Sequence, residues 1–257
     1  MNKRIIVLLM CLIIVIIPVV LFSAVFVVRD VDVVGIGDEF EFDENKLAAD
    51  SGIPSGSSIF ILSESAARHN IELKNPTIKV VNIERIFPNK VVVNITKRVP
   101  MIAINVKSTS MYALVDRELR VVDIVSDISK LNVVRFNGYA LDISKDTDVE
   151  GEIIDINNKE LGGFVLESII KGYEQLQVVS DLLRSHVEYI TLDTEGNRAI
   201  IMTNAGASIE VPINVKNVTL EDMVIAGVGV FNDARDNGTF PTNKGTFYYD
   251  NGWKYRA

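Results

Sequence analysis

The sequence RIFPNKVVVNITKRVP, residues 85–100, is the strongest predictor of structure in the first part of the chain. Apolar and polar residues alternate on both sides of Pro88-Asn89, and Val81, Ile83 and Phe87 share one face of the first run. A period of two is typical of a half-buried strand, and Pro-Asn favours a tight turn. The stretch therefore predicts an antiparallel hairpin. Its expected core residues are Phe87, Val91, Val93 and Ile95.

The residues before this hairpin predict one strand and two helices. Val31 and Val33 suit a short strand. Asp43 and Ser63 are good N-caps for two helices, of which the first ends at Gly52 and the second near Leu73. The predicted order is strand, helix, helix, strand, strand, which buries its apolar faces when two helices cover one face of a three-stranded sheet.

The rest of the chain predicts an α+β region that is mostly strand. Residues 142–152 carry five acidic side chains and predict a solvated loop. Helices are predicted from Phe164 to Ser180 and from Thr219 to Ala234, and a terminal hairpin turns at Asn251-Gly252. Further strands are predicted at residues 111–116, 120–125, 132–138, 187–193, 197–203 and 207–212.

The N-terminus carries an uncharged, mostly apolar run from Ile5 to Val28. Its 24 residues reach about 36 Å as a helix, enough to cross a hydrocarbon core of about 30 Å. The run is longer than a signal peptide needs, and Phe22 is too bulky for the cleavage site that Phe22-Ser23-Ala24 would offer. We therefore expect a membrane anchor. Lys3 and Arg4 precede it, which predicts a cytoplasmic N-terminus.

Charge and cysteine content restrict the function of the part outside the membrane. The chain has a net charge of −8, and residues 1–28 contribute +2, which leaves −10 for residues 29–257. An acidic domain does not favour nucleic acid as a partner. The single cysteine, Cys11, lies in the apolar run, so we expect apolar cores without disulfides.

No pattern of catalytic or metal-ligating residues stands out in the sequence. His69 and His186 lack neighbouring ligands at metal spacing, so a structural or surface role is expected for both. Gly227-Val228-Gly229 lacks the rest of a phosphate loop and is expected to allow close helix packing. The aromatic cluster near the C-terminus either packs on its own sheet or forms an interface. Its members are Tyr248, Tyr249, Trp253 and Tyr255.

A series of short motifs, taken in order, resembles the FtsQ/DivIB family of bacterial cell-division proteins. Val31, Val33 and Gly35 match the end of the family's first strand. SGIPSG at 51–56 matches its S-G-I-x-x-G turn, and RIFPN at 85–89 matches R-x-F-P. KRVP at 97–100 matches E-R-x-P with Lys97 in place of Glu, and YALVD at 112–116 matches the first strand of the β domain. Two more positions depart from the pattern: Ile102 stands for Ala and Leu119 for Gly.

The resemblance implies a single-pass membrane protein at the division septum. Residues 1–4 would be cytoplasmic and residues 5–28 a transmembrane helix, followed by a POTRA domain over 29–99 and a β domain over 100–257. Structural positions of the POTRA domain are then expected at Gly35, Gly52, Gly56, Arg85, Phe87, Pro88, Arg98 and Pro100.

The resemblance also implies partners in place of a reaction. The family has no catalytic activity and no cofactor; it binds single-pass partners of the FtsB/DivIC and FtsL types and is linked to septal peptidoglycan synthases. In relatives the partner adds a strand at the end of the β domain, beside the preceding helix. The matching strand here is Thr246, Phe247, Tyr248, Tyr249 and Asp250, and the helix residues are Glu221, Val224, Val228 and Phe231.

Two other classes of function stay open at this point. A membrane-anchored extracytoplasmic sensor or ligand-binding module would need a concave apolar pocket in place of an open sheet edge. An exported enzyme would need a convergent polar site, which the sequence does not indicate.

Overall fold

The computed structural model describes residues 25–37, 40–141, 161–176 and 182–257, together with residues 10, 12–14, 16 and 151. The chain divides into two compact units, Met1–Arg98 and Val99–Ala257. Residues 1–4, most of the predicted membrane-spanning segment 5–28, nearly all of the acidic loop 142–152 and the predicted helix end at 177–180 lie outside the described residues. Within the described part of the chain, no helix has both the length and the hydropathy that a membrane span requires.

The first unit has the predicted order of elements. Its three strands form a sheet in the order β1-β3-β2, in which β3 pairs parallel with β1 and antiparallel with β2. The elements are β1 (Asp30–Gly35), α1 (Glu44–Asp50), a 3₁₀ turn (Ile59–Ile61), α2 (Glu64–Lys74), β2 (Ile78–Ile86) and β3 (Lys90–Lys97).

The predicted caps start both helices of this unit. Asp43 accepts a hydrogen bond from the backbone N–H of Lys46 at 3.0 Å, and Ser63 accepts one from Ala66 at 3.3 Å. Such bonds satisfy N–H groups that have no partner inside the helix. The helices bury Leu47, Ala67 and Ile71 against the sheet residues Val91, Val93 and Ile95.

Two expectations about the hairpin were wrong. The pairing of β2 with β3 shifts register between Val80 and Asn82, so Val81 lies at a bulge and is exposed while Val80 and Ile83 are buried. A bulge inserts one residue and so reverses the face on which the preceding residues lie. Phe87 is not in the core either, because 54% of it is exposed.

The second unit contains one large sheet, which accounts for its fold class of α+β. Its nine described strands run in the order β12-β11-β10-β9-β8-β7-β4-β5-β6. They are β4 (Ile102–Val106), β5 (Tyr112–Val115), β6 (Val121–Val125), β7 (Val134–Leu141), β8 (Val187–Asp193), β9 (Arg198–Thr203), β10 (Ser208–Pro212), β11 (Thr246–Tyr249) and β12 (Trp253–Arg256).

Strand β4 was not predicted, although it lies inside the sheet between β7 and β5. Its sequence IAINV is nearly continuous in apolar residues, and four of the five are buried. A strand buried on both faces lacks the alternation that marks a half-buried one. Strand β7 also continues to Leu141, beyond its predicted end at Gly138.

The described residues of the second unit also form three helices: α3 (Leu161–Gln175), α4 (Leu182–His186) and α5 (Leu220–Asn237). Helix α3 begins three residues before the predicted Phe164, and α5 extends past the predicted Ala234 to a left-handed C-cap at Gly238. Helices α3 and α5 approach closely at Gly172, where a Cβ atom would lie 2.8 Å from a methyl group of Val224. The long helix α5 packs on β10 and β11.

Candidate partner-binding surface

The C-terminal hairpin forms one edge of the nine-stranded sheet. Strands β11 and β12 pair antiparallel from Tyr249 opposite Trp253 to Thr246 opposite Arg256. The turn between them places Asn251 and Gly252 at positive φ angles of 52° and 143°, which suits this residue pair. The predicted hairpin on Asn251-Gly252 is therefore confirmed.

The open edge is one strand further along the chain than expected. Strand β11 is parallel to β10 on its other side, with Ser208 opposite Thr246 and Glu210 opposite Tyr248. Both sides of Thr246–Tyr248 are thus paired, Tyr249 pairs with Trp253 only, and Asp250 lies beyond the strand in the turn. The expectation that Thr246–Asp250 offers an open edge was wrong. No residue in the described ranges pairs with the outer side of β12, so the edge belongs to Trp253–Arg256.

The inner face of this hairpin packs against helix α5. A Cβ atom on Gly227 would lie 2.5 Å from Cη2 of Trp253, so the indole fits only where the helix has no side chain. This agrees with the expectation that the glycines allow close packing, although Gly229 has open space around it. The Tyr255 ring lies 5.1 Å from both Phe247 and Phe240, measured between ring centroids. Trp253 and Tyr255 therefore fix β12 to the body of the unit.

The outer face of the hairpin is polar and charged. Arg256 lies over the ring of Tyr248, 5.3 Å from its centroid, and pairs with Glu210 at 3.2 Å. Lys254 forms an ion pair with Asp250 across the turn. Successive side chains of β12 thus alternate between an aromatic flank of Trp253 and Tyr255 and a basic flank of Lys254 and Arg256.

Most of the helix residues expected to touch a partner are inaccessible. Val224, Val228 and Phe231 are at most 1% exposed and belong to the core of the unit. Their expected role in partner contact was wrong, because the same apolar stripe attaches α5 to the sheet. Glu221 is the exception: it lines a surface groove together with Phe164, Lys171 and Val218.

A partly buried histidine, His186, lies against helices α3 and α5. Nδ1 of His186 is 2.9 Å from the hydroxyl oxygen of Tyr173, and its ring meets Phe231 edge-on with centroids 5.1 Å apart. Burial lowers the pKa of His186, the positive charge of Arg235 lowers it further, and burial raises the pKa of Tyr173. The other histidine, His69, lies exposed on α2.

Most of the positions that the family resemblance predicted to be structural lie in turns or near the ends of elements of the first unit. Gly52 and Gly56 have φ angles of 67° and 84°, which a residue with a Cβ atom rarely adopts. A Cβ atom on Gly35 would lie 2.9 Å from the ring of Phe42. Arg85 donates to the carbonyl oxygen of Leu62 at 3.0 Å and pairs with Glu64 at 2.9 Å. Phe87 precedes Pro88 at the hairpin turn and is exposed.

Arg98, the last residue of this unit, forms an ion pair that the sequence did not indicate. Its guanidinium lies 3.1 Å from Glu72 of α2, and both side chains are almost completely buried. The same carboxylate accepts the backbone N–H of Val80 at 2.9 Å. Nothing local in the sequence marks a pair whose members are 26 positions apart. Pro100 follows in the segment that leads to β4.

Comparison with known proteins identifies the first unit. Residues 28–98 match the family model of the POTRA domain, FtsQ-type. A search of the curated proteins found no significant match to the chain.

Proposed function

We propose that this chain is a member of the FtsQ/DivIB family and a non-enzymatic scaffold and regulator of cell division, and its FtsQ-type POTRA domain supports that membership. An FtsQ-type POTRA domain indicates a cell-division protein. In the proposed arrangement the segment 5–28 anchors the chain in the cell membrane at the septum, and the N-terminus is cytoplasmic. The two units outside bind FtsB/DivIC-like and FtsL-like single-pass proteins and link them to septal peptidoglycan synthesis.

The open edge at β12 carries this proposal. An unpaired strand exposes a row of N–H and C=O groups that would otherwise promote aggregation. Binding by strand addition uses those groups for affinity and the alternating side chains for selectivity. The hairpin is firmly held on α5 by Trp253, so the edge is preformed and little conformational entropy is lost when a partner strand pairs.

The two flanks of β12 define the chemistry of the partner strand. Side chains of an added strand would alternate between the aromatic flank at Trp253 and Tyr255 and the basic flank at Lys254 and Arg256. A strand that alternates apolar and acidic residues fits both. Acidic side chains there would also steer the encounter with the basic flank.

Site-specific photo-crosslinking in dividing cells tests the edge. A crosslinking residue replaces Lys254 on β12 in one strain, and Asp123 on β6, at the opposite end of the sheet, in the other. Both side chains are well exposed, so the labels are comparable. We expect Lys254 to capture one DivIC-like or FtsB-like protein and Asp123 to capture none. Equal labelling from both positions, or none from Lys254, would exclude strand addition at β12.

Localisation tests the cellular role separately. A fluorescent fusion at the N-terminus should form a band at mid-cell before constriction. A fusion that lacks residues 246–257 tests the edge in the same cells. The partner that the crosslink at position 254 identified should then no longer gather at mid-cell. Uniform fluorescence around the membrane would instead favour the anchored sensor or ligand-binding module.

A further inference from the structure

An exposed apolar patch surrounds the start of the POTRA fold. The rings of Phe26, Phe60 and Phe87 form a triangle with centroid distances of 5.4 Å (26–60), 5.3 Å (60–87) and 6.1 Å (26–87). Phe87 is 54% exposed, and Ile61, next to Phe60 in the chain, is 79% exposed. We call these four residues the phenyl patch. Contiguous apolar surface of this kind usually marks an interaction site.

Backbone hydrogen bonds fix the first residues of the fold beneath this patch. The carbonyl oxygen of Phe26 accepts the N–H of Ile59 at 3.0 Å. Val28 donates to Ser57 and accepts from Gly56, both at 2.8 Å. Arg29 donates to the carbonyl oxygen of Asn89, in the hairpin turn beside Phe87, at 2.8 Å. The segment 26–29 is therefore an integral part of the unit.

The apolar run ends inside the same segment. About 20 helical residues cross a hydrocarbon core of about 30 Å. The run from Ile5 to Val28 has 24 residues, so its last four, 25–28, lie beyond the length needed to cross. These are the residues that the hydrogen bonds tie to the loop 56–59. If the run spans the membrane, the phenyl patch lies within about one helical turn of the bilayer surface.

We propose that the phenyl patch inserts into the headgroup region of the lipid bilayer and seats the POTRA unit on the membrane. This inference rests on the single-pass anchor of the proposed function. Surfaces rich in Phe and Leu insert about 5–10 Å into the boundary between headgroups and acyl chains, where their side chains leave water. The occupant is lipid because the anchor and the patch share one short, hydrogen-bonded segment. Insertion of the phenyl patch would restrict the tilt of the POTRA unit as well as its distance from the membrane.

Quenching of tryptophan fluorescence by brominated lipid tests the seating. The full chain is reconstituted into phosphatidylcholine nanodiscs, with or without lipid brominated near the headgroup end of its acyl chains. Tryptophan replaces Phe87 or Ile61, both of which are exposed enough to accept it. The native Trp253 is the only other tryptophan, and its emission is measured in the unaltered chain and subtracted. We expect brominated lipid to quench the added emission of both Phe87→Trp and Ile61→Trp.

Val81→Trp is the matched control. Val81 is 45% exposed, and six residues of nearly extended chain place it about 20 Å from Phe87. We expect its emission to be insensitive to brominated lipid. A chain that enters the nanodiscs but shows equal quenching at 61, 81 and 87 overturns the seating and leaves the anchor intact. Quenching at 61 and 87 that appears only after a protein partner is added also overturns it. A chain that does not enter nanodiscs overturns both anchor and seating.

Discussion

A buried ion pair joins the end of the POTRA unit to its second helix. Arg98 and Glu72 lie 3.1 Å apart, with side chains 1% and 4% exposed, and Glu72 also accepts the N–H of Val80. When one partner of a buried ion pair is removed, the other charge stays buried without its counter-ion, which strongly destabilises the fold. Exposed ion pairs contribute little to folding stability. The pair therefore couples the closing residue of the unit to the packing of α2 on β2.

Glu72→Gln should destabilise the first unit by about 3–5 kcal/mol, because it removes the counter-ion of Arg98 and keeps the side-chain shape. Urea unfolding followed by circular dichroism measures the loss. The matched control is Lys74→Ala on the same helix, which breaks the more exposed pair with Asp50 and should cost at most about 1 kcal/mol. Equal losses in the two variants would mean that Glu72–Arg98 behaves as a surface pair.

The partly buried His186 should make the second unit sensitive to acid. Burial lowers the pKa of His186 in the folded protein, whereas the unfolded value is about 6.5. Below that pH the unfolded chain binds the proton more readily. Stability present above about pH 6.5 is therefore lost as the pH falls from there through the folded-state pKa.

His186→Gln removes this titration and keeps a polar group next to Tyr173. The measurement is the urea midpoint for unfolding of the second unit. Between about pH 7.5 and 5.5 we expect this midpoint to fall further in the unaltered protein than in the variant. His69→Gln, at the exposed histidine of α2, should retain the full fall. A variant at 186 with the same fall as the unaltered protein would show that other groups cause the acid sensitivity.

Two glycines of helix α5 differ in what surrounds them. A Cβ atom on Gly227 would lie 2.5 Å from Trp253 and 2.9 Å from the fully buried Ile209. A Cβ atom on Gly229 would have nothing within 4 Å. Gly227 therefore sets the distance between helix and hairpin, and Gly229 contributes only backbone freedom.

Alanine should change stability in opposite directions at these two positions. Gly229→Ala should stabilise the protein by about 0.5–1 kcal/mol through its better helix propensity. Gly227→Ala gains the same propensity but should lose about 1–3 kcal/mol through overpacking. Urea unfolding gives both values, and the emission of Trp253 should shift only in Gly227→Ala. Stabilisation by both substitutions would mean that the hairpin moves away from the helix at little cost.

Local patterns predicted local structure well and sheet order poorly. Pro88-Asn89, Asn251-Gly252 and the caps at Asp43 and Ser63 act within a few residues, and all four are found where expected. The position of the edge depends on β10, which pairs with β11 from almost 40 residues away. The sequence marked the aromatic hairpin but not which of its strands is covered.

Which side chains are buried also depends on contacts between elements that are distant in the sequence. The stripe Val224, Val228 and Phe231 is a typical amphipathic face, which a helix can turn to its own sheet or to a partner. The structure places it in the core. Phe87 shows the opposite case: an aromatic residue on a strand-like pattern that ends up exposed, because the strand ends at Ile86.

The described residues of the whole chain form two hydrophobic cores. One contains Val93 and Ile95 of the first unit, and the other contains Ile209 and Phe247 of the second. The described backbone pairs of each sheet stay within one unit. Stability should therefore be divided into two cooperative transitions, as is usual when cores do not merge.

Val93→Asp tests this independence, because it puts a carboxylate at a fully buried site between the sheet and the helices of the first unit. The expected cost of several kcal/mol should unfold that unit. Hydrogen exchange followed by mass spectrometry should then show lost protection in β1, β2 and β3, with β8, β9 and β10 still protected. Val81→Asp is the control, since its exposed position on the bulge should leave both units protected. Lost protection of β8, β9 and β10 in Val93→Asp would mean that the second unit depends on the first for its stability, and that one transition describes the whole chain.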